Sequence, residues 1–201
     1  MFESLRTRWW RYRAWLSIPS LIARADERTV VALVAGANGG LAILCISLVA
    51  WASDLPLIFP IIGPTAFLLF TVPFSKAAAP RSIILGHFTA LAIGYACWHL
   101  TTYATGEDIS LRVGGWPLIC CAALALAASS TVLIWLSCPH PPACASALVI
   151  ALGAITSWPE VLAMAACVVL VTGQAVVVNR IACVPVPLWS PRPEFTDGCD
   201  A

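Results

Sequence analysis

Charge is what this sequence has least of. Only 10% of its 201 residues are Asp, Glu, Lys or Arg, against about a quarter in an ordinary soluble domain. Those few are also segregated. Between Thr29 and Asn179 the only charged side chains are Asp54, Lys76, Arg81, Glu107, Asp108, Arg112 and Glu160. With 60% hydrophobic residues, too little polar surface remains to keep such a chain in water, which excludes a soluble globular protein. The sequence also lacks paired carboxylates, a Ser/His/Asp constellation and a glycine-rich phosphate loop, so no enzyme is expected. Of the nine cysteines none forms a CxxC pair. Cys45, Cys97, Cys120, Cys121 and Cys167 fall inside apolar runs, where a free thiol behaves as a small hydrophobe. Disulfides are therefore not expected. Cys138, His140 and Cys144 lack a fourth ligand, so neither a metal nor a cofactor is expected.

What is present is a series of long apolar runs. A helix needs about 20 mostly apolar residues to cross a bilayer. Residues 29–52, 81–104, 115–137 and 159–181 satisfy this, and 55–74 and 138–157 are long enough but interrupted by proline. The expected fold is all-α and integral to the membrane: six hydrophobic helices, two of them short and proline-led. The domain occupies 29–189, between a basic amphipathic segment (1–28) and a tail (190–201). In the first segment Phe2, Leu5, Trp9, Tyr12 and Leu16 recur at helical spacing among arginines, as in a helix lying in the headgroups of an anionic leaflet. No nucleic-acid partner is expected, because a membrane surface accounts better for those arginines.

Basic residues flanking spans stay on the cytoplasmic side. Six spans starting inside leave ten basic residues inside and Arg112 alone outside; four spans give nine against two. The count favours six, with both termini in the cytoplasm and a bacterial inner membrane as the location. The two interrupted segments also share a rhythm. Pro64 and Pro142 are 78 residues apart, and Pro80 and Pro159, which open the following spans, are 79 apart. Helix, broken segment, helix, done twice, predicts a 3+3 inverted repeat with a transport site at its interrupted segments.

Proline suits the first helical position, where its missing N–H costs nothing. With Pro64 and Pro142 in that position, two short helices start within the membrane and leave unpaired amides at the positive end of a helix dipole. Such ends attract a small anion. The proposed spans hold no interior carboxylate, lysine or arginine; their polar groups are His87, His140, Asn38, Gln174, Asn179, Thr65, Ser129, Ser130 and Thr131. That lining suits a small monovalent anion or a neutral solute and suits a metal cation poorly. The candidate pore residues are therefore Gly63, Pro64, Thr65 and Ala66 at one break, His140, Pro141, Pro142, Ala143 and Cys144 at the other, with His87, Asn38 and Asn179. His140 reads either as a pore donor or as a cap on a carbonyl freed by the prolines. His99, beside Trp98, reads as interfacial, and Gly36, Gly39 and Gly40 as helix-packing positions. A scaffold or sensor subunit that transports nothing is the alternative from another class, and small-residue faces suit a homo-oligomer.

The motif His140-Pro141-Pro142, followed by Ala143 and Ala145, resembles the signature of the HPP family of integral membrane proteins. PLIFPIIGPTAFLLF is similar to that family's proline–glycine break, and Pro80-Arg81-Ser82-Ile83-Ile84-Leu85-Gly86-His87 to its Pro-Arg-Asn-x-x-x-Gly-His element. Asn179 and Pro185 to Trp189 resemble its closing segment. Ser82 departs from the usual Asn and removes a polar neighbour expected near His87. The resemblance implies four spans and transport, with nitrite the substrate assigned to plastid and cyanobacterial members; nitrate is the next candidate.

Overall fold

A computed structural model describes residues 18–53, 59–106, 109 and 114–190. The amphipathic segment expected over Phe2 to Leu16 and most of the C-terminal tail lie outside the described residues. Within them the chain forms seven α-helices and no strand. They are α1 (Ile18–Ile22), α2 (Glu27–Ser53), α3 (Ile62–Thr71), α4 (Pro80–Thr105), α5 (Trp116–Trp135), α6 (Pro141–Ala151) and α7 (Trp158–Ile181), with a 3₁₀ turn at Lys76–Ala78 before α4.

Four of these, α2, α4, α5 and α7, are long and apolar enough to cross a membrane. The two interrupted stretches are corrected in length. Their helices have 10 and 11 residues, about 15 and 17 Å at 1.5 Å per residue, or half of a bilayer core about 30 Å thick. The element order is thus long, short, long, repeated once.

Proline placement explains the helix starts. Pro80 and Pro141 are the first residues of α4 and α6, and Pro117 and Pro159 the second residues of α5 and α7. At all of these positions the amide would lack an intrahelical partner anyway. At the head of α7 both the amide and the hydroxyl of Ser157 donate to the Glu160 carboxylate, at 3.2 and 2.7 Å. Helices α5, α6 and α7 end on a left-handed residue, Ser137, Gly153 and Cys183 respectively. The amide after each reaches back to Leu133, Val149 and Asn179, which satisfies carbonyls that lipid could not.

Packing divides into two clusters. One, centred on α2, α3 and α7 and joined by Ile83 and Leu91 of α4 and Ile150 of α6, is built mainly of large apolar residues such as Ile46, Ile62, Leu69, Phe70, Met164 and Val171. The other, between α4, α5 and α6, is mostly Ala and Cys: Ala90, Cys121, Ala125, Ala143, Ala147 and Ala151. At one end of the bundle the start of α2, the end of α3, the start of α4 and the end of α7 come together. Asn179 of α7 donates to the Leu69 carbonyl of α3 at 3.1 Å, and the Arg81 amide donates to the Trp189 carbonyl at 3.0 Å. The Ile18 amide donates to the Ala182 carbonyl, and Asp26, Glu27 and Arg28 line one groove with Phe67 and Thr71. At the other end Tyr95 of α4 meets Trp158 at the start of α7, ring centroids 4.5 Å apart.

Candidate functional site

The starts of α3 and α6 abut, and what they bring together is a set of buried polar side chains. Helix α4 exposes one face to its neighbours, running Ile83, Gly86, His87, Ala90, Leu91 and Gly94. A Cβ added at Gly94 would lie 2.6 Å from the Ala147 carbonyl oxygen, and one at Gly86 would lie 3.3 Å from His140 Cβ. The two glycines therefore let α6 lie directly on α4. His87, one residue after Gly86, then projects into the seam.

Three atoms converge there. Thr65 Oγ1 lies 3.1 Å from His87 Nε2 and 3.2 Å from His140 Nε2, and the two imidazole nitrogens are 3.2 Å apart. The rings meet edge to face at 4.9 Å. Each ring is pinned from behind: His87 Nδ1 by Ser146 Oγ at 2.7 Å, His140 Nδ1 by the Ala77 carbonyl at 2.7 Å. A carbonyl only accepts, so His140 donates through Nδ1. Thr65, His87, His140 and Ser146 are all at most 1% exposed. Among the described residues no carboxylate bonds to either ring, and no group of three His, Cys, Asp or Glu side chains could hold a metal ion.

The expected amides at the helix tips are not available. In α6 the first helical residue is Pro141, not Pro142. Neither proline has an N–H, and the next amide, Ala143, turns back to the His140 carbonyl at 2.9 Å. In α3 Pro64 is the third residue rather than the first, and the Ile62 and Gly63 amides are taken by the Phe59 and Pro60 carbonyls at 3.0 and 3.2 Å. The first-turn amides that a ligand would use are either absent or already bonded. Donors to a ligand here are imidazole N–H and hydroxyl groups.

Of the candidate residues, His140, His87 and Thr65 meet in the cluster. Pro141 and Pro142 set the start of α6, Ala143 packs against Gly86, and Ala66 is buried beside Thr65. The others are placed elsewhere. Gly63 and Pro64 are exposed. Cys144 faces α5, its sulfur 3.5 Å from Ser130 Oγ. The Asn38 amide is spent on its own helix, at the Val34 carbonyl, and Asn179 ties α7 to the last turn of α3. Gln174 lines an apolar groove between α2 and α7, and His99 stacks with Tyr95 and Trp98. Ser146 is the residue that sequence reasoning missed. Counted from the His140 cap it falls on the face of Ala143 and Ala147, a helical signal readable once the start of α6 is fixed. It also supplies the polar partner to His87 that Ser82 was not expected to give.

The family model described as HPP, transmembrane region, matches residues 24–186. No curated protein and no solved structure matches the chain.

Proposed function

The chain belongs to the HPP family of membrane proteins, and from that premise we propose that it is a permease or channel for a small monovalent anion, nitrite first and nitrate second. The observation that carries the reading is the buried imidazole pair where two half-length helices abut, with hydroxyls around it and no carboxylate among the described residues in contact. Irregular backbone at membrane depth persists where it is buried in protein or lines a path, and polar groups held there mark such paths. An anion at this point would accept from imidazole N–H and the Thr65 hydroxyl. Because the three converging atoms lie 3.1–3.2 Å apart, passage requires α3 and α6 to part at their starts.

We also infer that the chain crosses the bilayer six times. The end of α3 shares an end of the bundle with the start of α2, so between the end of α2 and the end of α3 the chain returns across the membrane. Helix α6 runs parallel to α4, since Gly86 meets Ala143 and Gly94 meets Ala147. It leads from the α5 exit, where Arg81 donates to the Leu136 and Ser137 carbonyls, toward the opposite end. The half-helices then point away from each other from abutting starts, as in an inverted repeat of three elements. Six crossings put both termini on one side, and the N-terminal arginines make that side the cytoplasm of a bacterial inner membrane.

The purified protein in liposomes should pass nitrite, nitrate or formate down a gradient at least about tenfold faster than empty liposomes. His140→Ala, which removes one imidazole and leaves the Ala77 carbonyl without its donor, should abolish most of that flux. Wild-type flux no greater than that of empty liposomes for all three anions would leave the scaffold reading in its place.

A further inference from the structure

We infer that the His87–His140 pair moves one proton with each anion, so that transport is electroneutral; this rests on the transport reading above and adds its coupling. The hydrogens of the cluster lead there. His140 Nδ1 carries a hydrogen because its partner, the Ala77 carbonyl, has none to give. In the uncharged ring its Nε2 is therefore a bare lone pair. His87 Nε2 lies 3.2 Å from it, a separation at which two bare lone pairs would repel and a hydrogen on one nitrogen turns the contact into a hydrogen bond. In the uncharged pair that hydrogen belongs to His87, whose Nδ1 then accepts from the Ser146 hydroxyl at 2.7 Å.

Adding one proton gives His87 an N–H on both sides. Ser146 Oγ changes from donor to acceptor, and every hydrogen bond of the cluster survives. A hydroxyl can serve both states, whereas a carbonyl or an ammonium could serve only one. The pair is thus held in the same place with or without the extra proton.

Among the described residues the surroundings supply no other counter-charge. On the packed elements Arg81 donates to the Leu136 and Ser137 carbonyls, and Cys138 to Leu136. Cys144 sits against Ser130, and Lys76 is exposed. None of these bonds to an imidazole. An unaccompanied anion at the seam would forfeit its hydration with no fixed cation in return. With the pair protonated, a nitrite oxygen accepts the hydrogen of His87 Nε2; that N–H bond breaks as the O–H bond of nitrous acid forms, and the Nδ1 hydrogen stays on His87, donated to Ser146. On the far side that O–H bond breaks and releases anion and proton together. The vacated His87 Nε2 takes its next proton from the entry side, and no electron changes hands.

The test is the equilibrium accumulation of nitrite in proteoliposomes at alkaline pH, with empty liposomes subtracted. A lumen one pH unit more alkaline should accumulate the anion about tenfold, and a tenfold potassium gradient with valinomycin, lumen positive, should change nothing. The reverse pattern, about tenfold accumulation following potassium and none following pH, overturns the inference and leaves the transport reading standing. No protein-dependent uptake under either gradient sinks both. Ser146→Ala, checked for folding by its elution as a single species, should lose at least about tenfold of the pH-driven rate. Wild-type uptake by that variant would overturn the part given to Ser146.

Discussion

The two packing clusters differ in the size of what fills them. Between α2, α3 and α7 the contacts are made largely by Ile, Leu, Phe, Met and Val; between α4, α5 and α6 they are made largely by Ala and Cys. Lipid tails are as apolar as a leucine, so burial of apolar surface drives little association between helices in a bilayer. Close packing and interhelical hydrogen bonds remain. The small-residue half uses both. Its backbones approach until Ser146 of α6 can reach His87 of α4 at 2.7 Å. The large-residue half packs through its side chains, and among its described residues a polar link across helices, Asn179 to the Leu69 carbonyl, lies at the end of the bundle. The imidazole pair sits where the halves meet, with only Thr65 contributed from the large side.

The sharpest way to break this contrast is at Gly94. The new Cβ in Gly94→Ala would meet the Ala147 backbone, oxygen at 2.6 Å and Cα at 2.8 Å, and backbone cannot rotate aside. The expected loss is about 3 kcal/mol, the upper part of the overpacking range, read as a lowered unfolding midpoint in detergent. Because separating α6 from α4 also pulls Ser146 from His87, flux should fall with stability. Unchanged stability would mean that the seam is looser than the glycine implies.

Next in size is Thr65→Val, which keeps the shape and removes the hydroxyl that the large-residue half lends to the cluster. The imidazoles retain each other, so stability should fall by only about 1 kcal/mol, the net worth of a hydrogen bond. Flux should fall further, by about tenfold, if the hydroxyl helps hold the anion. Parallel measurement of unfolding and liposome flux separates the two. Equal, small effects on both would make Thr65 a packing residue.

Gly86→Ala should cost less than Gly94→Ala, about 1 kcal/mol. Its neighbours are side-chain atoms at 3.2–3.4 Å, Leu133 Cδ2, His140 Cβ and Ala143 Cβ, and the leucine can yield. The informative readout is flux, since any displacement of His140 stretches its 3.2 Å contact to His87.

Much of this site was legible from the chain alone, for physical reasons. An intramembrane histidine is too costly to be incidental, and a proline pair announces a helix start; hence His87, His140 and the start of α6 near Pro142. Thr65 followed from the paired break. The spent amides were not legible. Whether Gly63 N–H is free depends on the turn that Pro60 makes with it, which is a matter of dihedral angles. Asn38 looked like a pore donor because an apolar run offers it no partner in sequence, yet Val34, one turn back, supplies one. Ser146 was hidden by distance: its partner His87 is 59 residues away, and only the α4–α6 seam unites them. The length of the broken helices was hidden as well, because apolar residues in the turns before Ile62 and after Ala151 read as helix by hydropathy.

The glycines of α2 complete the contrast from the other side. Gly36, Gly39 and Gly40 have nothing within 4 Å of an added Cβ, and Leu33, Leu44 and Leu48 on the same helix are more than half exposed. Within one copy of the chain this surface faces lipid, so Gly40→Ala should change the unfolding midpoint by less than the equivalent of about 0.5 kcal/mol. Gly36 and Gly40 are four residues apart, the spacing at which two membrane helices approach through small residues. A loss above about 1 kcal/mol in Gly40→Ala, together with a smaller species on size-exclusion chromatography, would mean that a second copy fills the notch. The open glycines would then belong to a tight seam between subunits, of the same kind as the one inside α4 and α6.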